Sequence, residues 1–339
     1  MHLFLYEWIT GGGLVEEPSP LPTSMLSEGS AMATALAADL SGIEGARVSV
    51  LRDIRLDDVP FPDCDVVEVH SSTHREDEFE RLAASADHTF LVAPETDNIL
   101  IDTLRNAHAA GGRPLAPSED FVALASDKDK TAAALARAGV PVPQATSLSA
   151  DEEKLPDDFD YPAVLKPVLG AGSQHTLLVA GSRDEPPPYP WPRRLEKYCP
   201  GIAASVSALC GPSHRTLMAP CRQTLSADGR FTYHGGSLIR ETELARRAKE
   251  LADRALDALP PAIGYVGIDL VLGKSGDGSA DFVIEVNPRL TTSYVGLRAS
   301  TSDNLAIAMI DNAAGRASSP RFHDHQLEFT ADGTILQTS

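Results

Sequence analysis

The chain has 339 residues, 42% hydrophobic, 23% charged and 6% aromatic, the balance of an ordinary globular protein of about two domains that needs no disulfide or metal staple. Its 48 acidic against 29 basic side chains give a formal net charge of −19, a field that repels phosphate backbones and anionic lipid and sets nucleic acid and membrane surfaces aside as partners. Sparse aromatics also exclude a base-stacking platform for single strands.

Residues 2–9 (HLFLYEWI) read as a buried strand, followed at once by Gly11-Gly12-Gly13. The full dinucleotide glycine spacing is absent, so a tight turn or a cleft wall is expected there rather than a nicotinamide site. Apolar spacing predicts a helix over 24–40, strands over 46–51 and 64–69, a helix over 76–86, a strand over 88–93 and a helix over 97–110. This alternation predicts an α/β unit, a parallel sheet with helices on both faces. Residues 118–127 carry the crossing into a second unit. A helix over 127–138 follows, with Ser126 as its cap and Gly139-Val140-Pro141 as its stop. An acidic surface loop (150–160), strands over 162–166 and 176–180, and a segment at 181–194 too rich in proline for regular structure come next. Strands over 203–209, 215–219, 230–234 and 265–272 surround a helix at 241–258. A strand over 281–286 ends in Asn287-Pro288-Arg289, and 327–337 reads as a hairpin turning at Ala331-Asp332-Gly333. Cys64, Cys199, Cys210 and Cys221 stand alone, as reduced thiols would. The first ten residues lack the basic and apolar regions of a secretory signal, and no run approaches a membrane span, so a cytoplasmic protein is expected.

Four short patterns carry chemistry. In Ile284-Glu285-Val286-Asn287-Pro288-Arg289, Glu285 and Asn287 are two apart on a strand and share a face. Asp269, on the preceding strand, could converge with them; two carboxylates and an amide oxygen suit a hard cation such as Mg²⁺. Arg289 lies just beyond, where it could meet a phosphate or acyl-phosphate oxygen. Lys166 ends an apolar strand ahead of Gly170-Ala171-Gly172-Ser173-Gln174, a small-residue loop whose amides can approach phosphate oxygens. Lys128 sits in the first turn of a helix, where the macrodipole disfavours it and an anionic ligand would explain it. Glu196-Lys197-Tyr198-Cys199 runs to a Pro-Gly stop and could offer backbone groups to an adenine edge. Taken singly, each has a plain reading: a strand end, a turn, a solvated charge cluster, a linker. His70 and His74, four apart, sit among Ser71, Ser72 and Thr73, which favours a loop over a metal site; His323 and His325 read as solvated. Arg222 and His234-Gly235-Gly236-Ser237 suggest a close backbone approach or a β-bulge, and Pro94-Glu95-Thr96 ends a parallel strand where such sheets bind ligands.

Together, and in this order, the four patterns resemble the ATP-grasp superfamily of carboxylate–amine ligases over about residues 119–300. The resemblance implies a Rossmann-like domain over 1–118 and a two-lobed ATP-grasp fold, α+β in character, with a small lobe over 119–198 and a large lobe over 199–339. It implies ATP with Mg²⁺ (Mn²⁺ able to substitute). Lys128, Lys166, Gly170, Gly172 and Ser173 then bind the phosphates, and Glu196, Lys197, Tyr198 and Cys199 hold adenine. Asp269, Glu285 and Asn287 bind the metal, with Arg289 and Lys166 at the reacting groups. Arg222 and His234-Gly235-Gly236-Ser237 lie where members of the family line the acceptor cleft. Leu5-Tyr6-Glu7-Trp8-Ile9-Thr10-Gly11-Gly12-Gly13-Leu14, Val92-Ala93-Pro94-Glu95-Thr96-Asp97 and the run from Asn287 to Leu297 are similar to a narrower group, the tyramine–glutamate ligases of methanofuran biosynthesis and their bacterial, methylofuran-type relatives. That likeness implies an ADP-forming ligase joining glutamate to an aromatic amine. Another amino-acid or dipeptide ligase, or a non-catalytic ATP-binding subunit, is the alternative. Gln174-His175, where a third small residue often lies, and Asp269, where many members have glutamate, depart from the pattern. Many members are dimers, so a homodimer is open; nothing in the sequence marks an interface.

Overall fold

The computed structural model describes residues 1–150, 152, 154–324 and 326–337; His325 lies outside them. Its first sheet is parallel, with β1 (His2–Glu7), β2 (Arg47–Asp53), β3 (Asp65–Val69) and β4 (His88–Val92) in the order β3-β2-β1-β4. Central β1 is apolar without alternation because helices cover both faces of the sheet. On one face, α1 (Thr23–Ser41) shares a core with Leu3 and Leu5; on the other, Phe4 packs with Phe79 of α2 (Ser72–Ser85) and Leu104 of α3 (Ile99–Ala109). Two short helices follow, α4 (Glu119–Ala125) and α5 (Lys128–Arg137).

The second sheet is antiparallel: β5 (Ala145–Leu148), β6 (Ala163–Pro167), β7 (Leu177–Val179) and β8 (Arg193–Lys197), ordered β5-β8-β6-β7. The third contains β9 (Ile202–Cys210), β10 (Arg215–Leu217), β11 (Cys221–Leu225), β12 (Tyr233–Leu238), β13 (Gly264–Leu272), β14 (Phe282–Asn287), β15 (Leu327–Thr330) and β16 (Ile335–Gln337). Its order is β14-β13-β9-β11-β12-β15-β16, with β10 also on β9. Helix α6 (Thr242–Asp257) packs on β9 and β13, and α7 (Ser293–Ala299) and α8 (Leu305–Ala313) pack against α1. Tyr294, Leu297, Leu305 and Met309 thus share one core with Met32 and Leu36 of α1. Asp39 of α1 reinforces this seam by accepting hydrogen bonds from the Tyr294 hydroxyl at 2.5 Å and Arg298 Nε at 2.9 Å.

Several elements differ from the sequence reading. Asp127, not Ser126, caps α5: its carboxylate accepts from the amides of Asp129 and Lys130 at 3.1 and 3.0 Å, and it outcompetes serine because anionic oxygen also favours the helix N-terminus. Helix α2 starts at Ser72, with Ser71 accepting from the His74 amide, so His74 is helical rather than in a loop. The strand expected at 230–234 lies at Tyr233–Leu238. Strands β5 and β11 and helices α7 and α8 have no counterpart in that reading. β11 (CRQTL) lacks an apolar alternation and is held by its ladder to β12 and β9. In α7, Gly296 is a poor helix former, but a Cβ there would lie 2.2 Å from the Phe329 ring, so packing selects it. Gly235, at φ 137°, lies where a Cβ would come within 1.9 Å of the Phe329 carbonyl oxygen, and β11–β12 shift register beside it at Thr224/Leu225. The glycine pair thus permits close approaches, by β15 at Gly235 and by the Arg222 carbonyl of β11 at Gly236.

One buried ion pair ties α6 to the loop before β14. Arg247 Nε donates to Asp281 Oδ2 at 2.9 Å, Nη2 to the second carboxylate oxygen, and the Gly273 amide also reaches Asp281 at 2.9 Å. Arg247→Ala would strand a buried carboxylate, so urea unfolding should show a loss of about 3–5 kcal/mol.

Candidate active site

The third sheet brings the acidic residues together. Asp269 and Glu285 are register partners across β13 and β14, and Asn287 lies on the same face two pairs on. Asn287 Nδ2 and Gln223 Nε2 each donate to Asp269, at 2.9 Å to Oδ2 and Oδ1 respectively. Burial, then the charge of Glu285, pushes the Asp269 carboxyl up to about 6. Burial also opposes ionisation of Glu285, but Lys128 and Lys166 outweigh it and hold that carboxyl below its usual range. A divalent cation would relieve this repulsion, and two carboxylates with an Asn oxygen are a fitting hard-oxygen set for Mg²⁺. No group of three or more His, Cys, Asp or Glu side chains arranged for a metal occurs among the described residues, so Asn287 and ligand oxygens would complete the shell.

The cations arrive from the second sheet and from α5. Lys128 Nζ reaches Glu285 Oε1 at 3.0 Å and donates to the Gly170 carbonyl at 2.8 Å. Its place in the first helical turn is therefore explained by an anion across the cleft, Glu285. Lys166 Nζ lies 2.6 Å from Glu196 Oε1, and Glu196 Oε2 accepts from Arg194 Nε at 3.0 Å. Arg194 continues to Asp129 at 2.6 Å. After Lys166 the glycine loop takes left-handed backbone at Gly172, Ser173 and His175. The His175 ring leans on Tyr189 of the proline-rich segment, with centroids 4.8 Å apart.

These elements meet in one cleft of about 620 Å³. Lys128, Lys166, Gly170, Gly172, Ser173, Glu196, Lys197, Tyr198 and Cys199 form one side; Asp269, Glu285, Asn287 and Arg289 form the other. The residues selected from sequence for phosphate, adenine and metal thus line one cavity, whereas His234, Gly235, Gly236 and Ser237 are not part of its lining. The Glu196 side chain is spent in ion pairs, and the Lys197 side chain turns out to Asp160. Tyr198 and Phe231 stack with ring centroids 6.2 Å apart beside Ile202 and Leu270, an apolar slot for a flat ring. Burial pushes the Cys199 thiol up to about 11, which leaves it un-ionised and a poor nucleophile. Arg222 lines the cleft and pairs with Glu241 at 2.9 Å.

A smaller pocket of about 70 Å³ opens beside the cleft, at the ends of β1 and β4. Trp8, Ile9 and Met25 make its apolar wall, and Glu7 and Glu28 bring carboxylates. Glu28 lines both cavities, accepting from Ser24 Oγ at 3.3 Å and Thr292 Oγ1 at 3.0 Å, and burial raises its carboxyl. Glu7 accepts from the amides of Ile9 and Thr10 at 3.2 and 2.8 Å, and burial pushes it up to about 6. Gly11-Gly12-Gly13 form a tight turn, with the Gly11 amide donating to the Glu7 carbonyl and Gly13 lying against the Trp8 indole. Glu95 is buried and pairs with Arg289 at 2.9 Å. The His70 and His74 rings lie 4.3 Å apart and tilted, and neither lines the cleft or the side pocket. Gln223, Glu28 and Thr292 were not selected from sequence: β11 went unrecognised, and Glu28 and Thr292 meet across 264 residues, which no local pattern signals.

An ATP-grasp domain pattern matches residues 125–293, and a pre-ATP-grasp pattern matches 46–122. The chain belongs to the ATP-grasp family. It is an ATP-grasp ligase, an enzyme forming C–N bonds. A curated ATP-grasp relative, tyramine–L-glutamate ligase of Methanocaldococcus jannaschii, is 24% identical over 293 residues, 86% of this chain and 84% of that one. The crystal structure of an ATP-grasp superfamily protein from Archaeoglobus fulgidus shares the fold at a TM-score of 0.72 and 23% identity, covering 97% of this chain and 92% of that one. An N5-carboxyaminoimidazole ribonucleotide synthetase, solved as its ADP complex, matches at 0.70 and 16% identity, covering 97% and 81%. No helix among the described residues is long and apolar enough to cross a membrane.

Proposed function

We propose that this ATP-grasp ligase joins the carboxylate of glutamate to an aromatic amine, tyramine or tyrosine, releasing ADP and phosphate, as a step in building a C1-carrier coenzyme of the methanofuran or methylofuran type. The observation that carries the reading is the single cleft in which Lys128, Lys166 and Arg289 face Asp269, Glu285 and Asn287. The relative named above, similar over most of its length, supports the substrate pair. ATP lies between the 119–198 and 199–339 lobes, with adenine against Glu196–Cys199 and the phosphates under the glycine loop. A bound Mg²⁺, held by Asp269, Glu285 and Asn287, supplies Lewis-acid stabilisation of phosphate charge.

In this reading a glutamate carboxylate oxygen attacks the γ-phosphorus, and ADP leaves. Lys128, Lys166 and Arg289 offset the charge that develops. The ammonium gives a proton to a side-pocket carboxylate and the neutral amine attacks the acyl carbon; phosphate leaves with the C–O electrons and takes the proton that the nitrogen gives up. No side-chain nucleophile is needed. The amine arrives from the side pocket, where Glu7 and Glu28 meet its ammonium form and the Trp8 wall meets its ring. Closure of the glycine loop excludes the water that would hydrolyse the acyl-phosphate. Mass spectrometry of products from ATP, Mg²⁺, glutamate and a panel of aromatic amines tests this. The γ- or α-glutamyl amide of one amine is expected, with stoichiometric ADP; ADP-free mixtures for every pair would overturn it.

A further inference from the structure

Arg289 differs from the two cleft lysines in where its counter-charge comes from. Lys128 and Lys166 pair with Glu285 and Glu196, both within residues 125–293. Arg289 pairs with Glu95, which follows β4 of the first sheet, 194 residues away. Glu95 is only 4% exposed, and its Oε1 has no hydrogen-bond partner among the described residues. A carboxylate so buried is costly unless paired, and Arg289 Nη2, at 2.9 Å, is the contact that pairs it. Arg289 Nη1 donates to the Leu290 carbonyl at 3.1 Å, while Nε has no partner. The guanidinium is therefore gripped by its two terminal nitrogens and still lines both the cleft and the side pocket. One of the two restraints on its rotation, Glu95, comes from outside the ATP-grasp domain.

We propose that Glu95 is a positioning residue: it fixes the plane of the Arg289 guanidinium at the junction of the cleft and the side pocket, so that the first domain sets the aim of the arginine at the reacting carboxylate. The proposal rests on the ligase reading above. If Glu95 only fastened two parts of the chain together, its loss would lower stability and disturb ATP binding and turnover alike. Acting through Arg289, it should leave ATP binding alone and affect the step in which the carboxylate is phosphorylated.

Steady-state ADP release with glutamate and tyramine, with thermal unfolding of each full-length variant, separates the two. Glu95→Gln, which keeps an oxygen near Nη2 but not the charge, should lower kcat by about a hundredfold, the cost of a misplacement of order 1 Å. KM for ATP should stay within about twofold, because Lys128 and Lys166 are untouched. Glu95→Asp, which keeps the charge, should recover part of kcat. Unchanged kcat in Glu95→Gln, or a kcat loss that tracks a fallen Tm and a raised ATP KM with no recovery in Glu95→Asp, would overturn the proposal. Wild-type protein whose basal ADP release no substrate pair stimulates would instead sink the ligase reading, and equal basal ATP hydrolysis in wild type and Glu95→Gln would then overturn the positioning role as well.

Discussion

Glu285→Gln should reduce turnover about a thousandfold or more, ~4 kcal/mol of lost transition-state stabilisation. The substitution keeps shape and removes one charge. That charge is the partner of Lys128 at 3.0 Å and the register neighbour of Asp269. On the proposed reading, losing it takes an anionic ligand from the metal set; it also leaves Lys128 without its carboxylate. Stability should change little, because the lost pair with Lys128 is offset by removal of the Glu285 charge that, second to burial, pushes Asp269 up to about 6. Coupled ADP release together with thermal unfolding checks both halves. A near-normal rate would refute the assignment of Glu285 to the metal.

Lys166→Met should have two separable effects. Lys166 and Glu196 are 5% and 3% exposed, and Arg194 is the second cation on Glu196. Removing the lysine leaves the buried carboxylate half-compensated, so stability should fall by about 3 kcal/mol, the low end for a broken buried pair. It also removes a charged donor to phosphate, which should weaken ATP binding roughly ten- to hundredfold. Adding Glu196→Gln should restore stability, since the unpaired charge is gone, but not ATP affinity. Urea unfolding and calorimetric titration with ATP read the two effects apart. A double variant that regains both would mean that Lys166 acts only through Glu196.

The site residues that sequence patterns delivered are those whose chemistry is local. Glu285 and Asn287 share a strand face by simple alternation, and Lys166 with its glycine loop is contiguous. Lys128 was legible as a misfit: a cation in a first helical turn demanded an anion, and Glu285 is that anion. The alternating first half gave the parallel sheet, and the hairpin at Ala331-Asp332-Gly333 was visible in its turn residues. What escaped is held by long-range packing. Gln223 lies on a polar strand that exists because β9 and β12 flank it. Pro94-Glu95-Thr96 was legible as a strand end near a ligand, but the role of Glu95 as a partner of Arg289 depends on two sheets meeting. Glu28 likewise becomes part of the site only when α1 packs beneath the loop carrying Thr292.

The most direct test is the structure of the protein with Mg²⁺ and a non-hydrolysable ATP analogue. The triphosphate should lie between Lys128 and Lys166 on one side and Asp269, Glu285 and Asn287 on the other, with the base beside Tyr198 and Cys199. A nucleotide bound elsewhere, with the Lys128–Glu285 and Lys166–Glu196 pairs intact and the cleft empty, would contradict the site.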